Sequence, residues 1–306
     1  MEKKEPEIYL YGMTVLSNIH LLEGMYPASD TYGEIKQSHV VVGGETGNSA
    51  IILANLGCKV SIDGPFLGVK TKDTVMNLLG KFGIDCSKLH YDQNFDGVQD
   101  LVLIDKKSRT VFGKFANYFG CGIKRWNKPG RDAIKSASIV GLDPFFGDES
   151  EMVARLCAEE GKRYVTIDCQ PDSSIHKHAA ATIISNEFIK NNFPKRSIRA
   201  LFKKYTEASQ GLVIFTFGSN EILYGRTSSK INTLKPYKVE VKSTLGAGDT
   251  FRAGVIYGIL NDLPDEDIVK FAAATAASVC CADFPMAFNP PGLNEIKSLI
   301  ERNADT

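Results

Sequence analysis

Apolar runs alternate along this chain with helix-spaced segments, and the alternation predicts a parallel sheet. Residues 8–12, Ile-Tyr-Leu-Tyr-Gly, form an apolar run closed by glycine, as expected of a strand buried on both faces. Runs at 38–42, 59–64, 138–142, 164–168, 182–184 and 212–216 predict further strands. Segments 50–56, 74–82, 149–160 and 198–208 space their apolar residues as helices do, and Gly57 and Gly83 stand where two of them should end. Strand followed by helix, repeated, implies helices on both faces of a mostly parallel sheet. Two segments break the rhythm. Residues 101–104 and 109–112 flank a polar turn and predict an antiparallel hairpin, and 221–233 predicts a second. Two helices close the chain. The first opens after Pro264 with Asp265, Glu266 and Asp267, whose charges suit a helix dipole. The second starts near Gly292 and carries Leu293, Ile296, Leu299 and Ile300 on one face. With no linker or repeat, residues 1–306 read as a single α/β domain with an added β element.

Composition narrows the classes. The chain has 306 residues, 43% apolar and 24% charged, enough for a sizeable core in a soluble protein. Lys plus Arg and Asp plus Glu both number 36, so no basic surplus points to nucleic acid. No apolar run approaches the roughly 20 residues of a membrane span; residues 272–282 are small and broken by Thr275 and Ser278. Seven scattered cysteines lack any CxxC pair, and Cys280 next to Cys281 suits neither zinc nor an ordinary disulfide. With a charged start, Met1-Glu2-Lys3-Lys4-Glu5, in place of a signal peptide, the expected compartment is the reducing cytoplasm.

The chemistry concentrates in the run 241–251, Val-Lys-Ser-Thr-Leu-Gly-Ala-Gly-Asp-Thr-Phe. A glycine-rich turn opening a helix gathers backbone N–H groups and the positive end of the dipole, which suits phosphate oxygens. Asp249 in the first turn would repel a phosphate unless it has its own task. Taking a proton from an attacking hydroxyl is such a task. Simple helix capping is the bland alternative. Thr244 adds a hydroxyl ahead of the turn, and Ala247 and Gly248 allow close approach to the backbone. A second motif, Gly43-Gly44-Glu45-Thr46-Gly47-Asn48, lies between a strand and a helix, where backbone and an amide meet sugar hydroxyls well.

Taken together, these two motifs make the chain resemble the ribokinase, or PfkB, family of carbohydrate kinases over nearly its whole length. Gly43-Gly44 through Asn48 is similar to the family's sugar-binding signature, and the run 243–249 to its C-terminal Asp-Thr-x-Gly-Ala-Gly-Asp signature. The stretch 12–27 is similar to the start of ketohexokinases. The resemblance implies a three-layer ribokinase-like fold, a central mostly parallel sheet with helices on both faces plus a small β lid. The lid strands would fall at about 12–44 and 97–116, and in the family such a lid often mediates a homodimer. By resemblance, Gly246, Ala247 and Gly248 form the anion hole, Asp249 is the general base, and ATP with Mg²⁺ is the phosphoryl source. Gly12, Ser17, Gly43, Gly44, Asn48 and Asp143 fall at sugar-binding positions, although Asp143 also reads as a plain turn residue before Pro144. Asn186, Thr216, Gly218, Thr244, Gly246 and Gly248 fall at nucleotide-binding positions.

Some positions depart from the pattern. Ser17 stands where an Asp is common, and Ile189 where the Asn-x-x-Glu element has Glu, leaving only Glu187 nearby for magnesium. Glu221 replaces the later glycine of the nucleotide turn, and Ser243 replaces an Asp linked to potassium activation. Glu45 sits where members acting on phosphorylated sugars carry Lys, and its charge would repel a second phosphate. Lys106, Lys107, Arg109 and Lys114 on the hairpin leave room for an acidic sugar, or are a solvated charge run. Phe112, Phe115, Tyr118 and Phe119 would close over a sugar, seal a dimer or pack in the core. The expected activity is ATP-dependent phosphorylation of a hydroxyl on a small sugar, unphosphorylated or acidic. A nucleoside or other small-alcohol kinase of the same fold and a non-catalytic sugar sensor are the alternatives.

Overall fold

The computed structural model describes residues 7–282, 286 and 289–303. In chain order its elements are β1 (Glu7–Tyr11), β2 (Val15–Leu22), β3 (Ile35–Gly43), α1 (Glu45–Asn55), β4 (Lys59–Asp63), α2 (Lys72–Gly80), β5 (Gln99–Ile104), β6 (Arg109–Gly113), α3 (Phe115–Gly120), α4 (Arg131–Ser136) and β7 (Ile139–Leu142). Then follow α5 (Asp148–Glu159), β8 (Arg163–Ile167), α6 (Ser174–Lys177), β9 (Ala181–Ser185), α7 (Asn186–Asn192), α8 (Ile198–Ala208), β10 (Leu212–Thr216), β11 (Ile222–Thr227), β12 (Lys230–Leu234), α9 (Ala247–Leu260), α10 (Asp265–Cys281) and α11 (Leu293–Arg302).

Eight strands build the main sheet in the order β12-β11-β10-β9-β8-β7-β1-β4. All neighbours from β10 to β4 are parallel, and β11 and β12 extend the edge antiparallel. The uninterrupted apolar run of β1 has its cause here. Ile8 and Leu10 face a core shared with α1, α9, α10 and α11, while Tyr9 and Tyr11 face a second core with α4 and α5. Both faces are covered, so no polar alternation survives.

The chain turns from β1 to β4 on one side and resumes with β7 on the other. The order therefore reverses at β1, and ligands of open α/β sheets bind beyond the carboxyl ends of the strands at such a point. Gly12 follows β1, Asp143 follows β7, Asp168 follows β8, and Thr216 ends β10. A second sheet, β3-β2-β5-β6, pairs β2 with β3 antiparallel and with β5 in parallel.

Two expectations need correction. Helix α1 begins already at Glu45, because Gly44 (φ 81°) turns the chain and the N–H groups of Thr46 and Gly47 donate to the Met13 carbonyl at 2.9 and 3.3 Å. Asn48 thus rides the first turn of a helix. Strand β2 has no counterpart in the hydrophobic pattern, since Ser17, Asn18 and His20 interrupt its apolar residues. Among the described residues no helix is long and apolar enough to cross a membrane, and all seven cysteines are free thiols.

Candidate active site

Helix α9 is apolar nearly all round and is buried against the sheet, so its N-terminus is held rigidly at the strand ends. Gly246 caps it at φ 77°, a left-handed conformation costly for any residue with a Cβ. The Thr250 hydroxyl donates to the Gly246 carbonyl (2.7 Å), and the Ala247 N–H donates to the Thr244 carbonyl (3.3 Å), closing the turn. A Cβ placed on Gly248 would meet nothing within 4 Å. Space therefore lies open above the first turn of α9.

Asp249 projects from that turn toward α1. The Asn48 amide donates to Asp249 Oδ2 at 2.7 Å, and the Ser49 hydroxyl donates to the Asp249 carbonyl at 3.0 Å. Burial raises the carboxyl pKa to about 6; the Asn48 hydrogen bond and the Arg252 charge pull it back, and nearby Asp143 adds to the rise. A base near the operating pH accepts a proton without being idle beforehand.

Arg252, three residues on and on the same helix face, is fully buried and paired with fully buried Asp143. Asp143 Oδ2 also accepts from the Met13 N–H (2.7 Å) and the Thr46 hydroxyl (3.2 Å). A carboxylate so engaged, with no exposed surface, clamps the ends of β1, β7, α1 and α9 together. This differs from the sugar contact expected at Asp143, whose oxygens are held by the protein's own donors. Gly12 lies at the same junction, its N–H donating to the Asp63 carbonyl (3.0 Å). The sequence reading missed Arg252. A charged residue inside the apolar run of α9, at helical spacing from Asp249, was the available signal.

Glu45 stands close to both carboxylates. Burial first, then Asp249 and Asp143, push its pKa up to about 8. It is thus mainly protonated at neutral pH. The raised pKa weakens the repulsion of a second phosphate expected from its charge, and the protonated carboxyl offers a hydrogen bond.

A cavity of about 590 Å³ runs from this point along the strand ends. Thr216, Gly218, Thr244, Ala247, Gly248 and Asp249 line it, with Glu45, Asp168 and Ser185 at one end and Tyr237, Val239 and Ala277 along its apolar wall. Asp168 holds an unusual φ of 37°, and its carboxylate accepts from the Ser185 N–H (2.7 Å) and hydroxyl (2.8 Å). Ser185 rather than Asn186 lines the cavity; Asn186 begins α7 behind it, while Glu187 lines a neighbouring cavity of about 580 Å³ with Asp168. On the other side, Ser17 of β2 lies against Gly43, where an added Cβ would come within 2.5 Å of its hydroxyl. Arg109 of β6 reaches back to the Thr244 carbonyl (3.5 Å) and hydroxyl (3.4 Å), tying the small sheet to the glycine turn. Of the aromatics, Tyr118 is buried in a cluster with Trp126 and Phe119, whereas Phe112 is 46% exposed.

The fold agrees with comparisons to known proteins. Residues 8–286 match the model of the pfkB family carbohydrate kinases. Mouse (Mus musculus) ketohexokinase is 21% identical over 291 residues, covering 90% of this chain and 97% of that protein. Ribokinase of Arabidopsis thaliana, solved with ribose and ATP, superposes with a TM-score of 0.79 at 16% identity, covering 97% of this chain and 99% of that one. The nucleoside kinase of Methanocaldococcus jannaschii superposes with a TM-score of 0.76 at 21% identity, covering 98% and 99%.

Proposed function

The chain belongs to the pfkB family of carbohydrate kinases, and from that membership we propose that it transfers the γ-phosphoryl group of ATP to a hydroxyl of a small sugar or sugar acid. The observation that carries the reading is the Asn48–Asp249 hydrogen bond beside the Gly246–Gly248 turn, which brings a proton acceptor and an anion cradle to one point. The substrate hydroxyl gives its proton to Asp249 as its oxygen bonds to the γ-phosphorus. The bond from that phosphorus to the β,γ-bridging oxygen breaks, and ADP leaves. N–H groups of the first turn of α9 hold the charge that develops on the transferred group.

The cavity fits ATP: its glycine floor is open to phosphate oxygens, and its apolar wall suits a base. Mg²⁺, held through phosphate oxygens, would neutralise their charge, with Asp168 and Glu187 as the acids at that end. The small sheet closes the acceptor end, and in this reading it is also the surface through which two copies would pair. A nucleoside or other small alcohol is the second acceptor class, since a nucleoside kinase shares this fold. A non-catalytic sensor has no need of a glycine turn and an Asn48-held carboxylate brought to one point.

The test is release of ADP with sugars, sugar acids, polyols and nucleosides offered in turn, for the protein and for Asp249→Ala. Turnover with a sugar that the variant loses while still binding it supports the proposal. Substantial turnover by Asp249→Ala would refute the mechanism.

A further inference from the structure

We propose that Asp100 supplies the carboxylate that grips the substrate's hydroxyl groups at the lid end of the site; this rests on the sugar-kinase reading above. Strands β2 and β5 run parallel with Ser17 opposite Asp100 and Ile19 opposite Val102, while β3 places Val41 opposite Ser17 on the other side. Directly paired residues share a face of a sheet. Val41, Ser17 and Asp100 therefore form one row across the small sheet. The face is identified by its neighbours: Ile19, Val41 and Val102 make a buried cluster against which Leu245, in the glycine turn, is packed. The row thus looks at the catalytic turn. Ser17 fixes its position further, since its hydroxyl lies against Gly43 at the head of the Glu45–Asn48 segment.

Asp100 stands one strand farther along this row, roughly 4.8 Å away by sheet geometry. Its Oδ1 is buried and has no hydrogen-bond partner among the described residues. Native proteins seldom leave a buried carboxylate oxygen unmet, because the lost hydration is costly. Desolvation accordingly raises its pKa, with the Ser17 hydroxyl opposing the rise. The residue is not sealed in the core: it lines a cavity of about 610 Å³ beneath the hairpin, together with Gln99 and Lys114. A waiting acceptor on the face turned toward Asp249 matches a ligand rich in O–H donors. A vicinal diol would meet Asp100 and Ser17 at once. A ligand carrying an anionic group at this position would be repelled.

The substitutions that test this are Asp100→Asn, which keeps the shape, and the relocation Ser17→Asp with Asp100→Ser. With whichever sugar the wild-type protein phosphorylates, Asp100→Asn should raise the sugar KM about 10- to 100-fold, as expected for a lost charged hydrogen bond. The KM for ATP and the Tm should stay unchanged, which a merely structural carboxylate would not allow. The relocation should recover much of the lost sugar affinity. An unchanged sugar KM in Asp100→Asn, or equal rises for sugar and ATP, would overturn the assignment while leaving the kinase reading intact. Failure of the wild-type protein to bind or phosphorylate any sugar or polyol would overturn both.

Discussion

Asn48 and Asp249, 201 residues apart in the chain, are joined by a 2.7 Å hydrogen bond that connects the first turns of α1 and α9. Each half of the site alone is an ordinary helix start. The bond sets where the Asp249 carboxylate points, and it stabilises the charged form of a group whose pKa burial has raised to about 6. Asp249 must be ionised to accept a proton, so activity should fall as pH drops through about 6. Asn48→Ala removes a stabiliser of the anion, and the acid limb of the kcat/KM profile should move to higher pH. An acid limb in the same place in both proteins would show that Asp249 is not the titrating base. Asp249→Asn should cost about 10²- to 10⁴-fold in kcat, the usual contribution of a positioned base.

Glu45 gives a prediction about stability. Its carboxyl titrates near 4.5 when unperturbed and near 8 in the fold. Between those values the folded protein holds a proton that the unfolded chain has released. Stability then falls as pH rises through this window, and levels off once both states are ionised. Glu45→Gln is neutral throughout and should lack that decline, gaining on the wild type as pH approaches 8. Denaturant midpoints across the range would check it. Parallel curves for the two proteins would mean that Glu45 is already ionised at neutral pH.

The Arg252–Asp143 pair is a buried ion pair at the junction of four elements. Arg252→Met strands a buried carboxylate and should cost about 3–5 kcal/mol of stability, the range for breaking such a pair from one side. Pairing it with Asp143→Asn should recover most of the loss, because the amide still satisfies its neighbours without a charge. Arg252 also holds the Asp249 pKa down, so Arg252→Met should shift the acid limb of activity upward as Asn48→Ala does. Chemical unfolding and pH profiles of the single and double variants separate the two effects.

Much of this was legible in the chain because some residues carry their reason locally. The apolar run of β1 announces a strand covered on both faces, and Gly-Ala-Gly-Asp announces a glycine-capped helix start with an acid in its first turn. Strand β2 was hidden from the hydrophobic pattern, though the family resemblance covered its span, because Ser17, Asn18 and His20 interrupt its apolar residues. The state of Glu45 was hidden for a different reason. Its charge depends first on burial and then on Asp249 and Asp143, all of which only the fold supplies. Asp143 misled in the same way, since nothing in Leu-Asp-Pro says that Arg252 will arrive to occupy it. Local pattern reports backbone and propensity; ionisation and partnership are properties of the assembled site.

Arg109 connects the lid to the chemistry. Its guanidinium reaches the Thr244 carbonyl and hydroxyl at 3.5 and 3.4 Å, and its charge helps hold the Asp249 pKa down. The side chain is exposed, so its removal should change stability by no more than about 0.5 kcal/mol. Its effect on turnover should be larger, because a cation beside the glycine turn favours the negative charge spread over a transferring phosphoryl group. Arg109→Ala is expected to lower kcat about tenfold or more and to weaken the salt sensitivity of kcat/KM, with Tm unchanged. Both contacts come from one nitrogen, Nη1, so Arg109→Lys, which keeps the charge on a single donor nitrogen, should restore most of the rate. Equal kcat for Arg109→Ala and the wild type would reduce the contact to a surface tie.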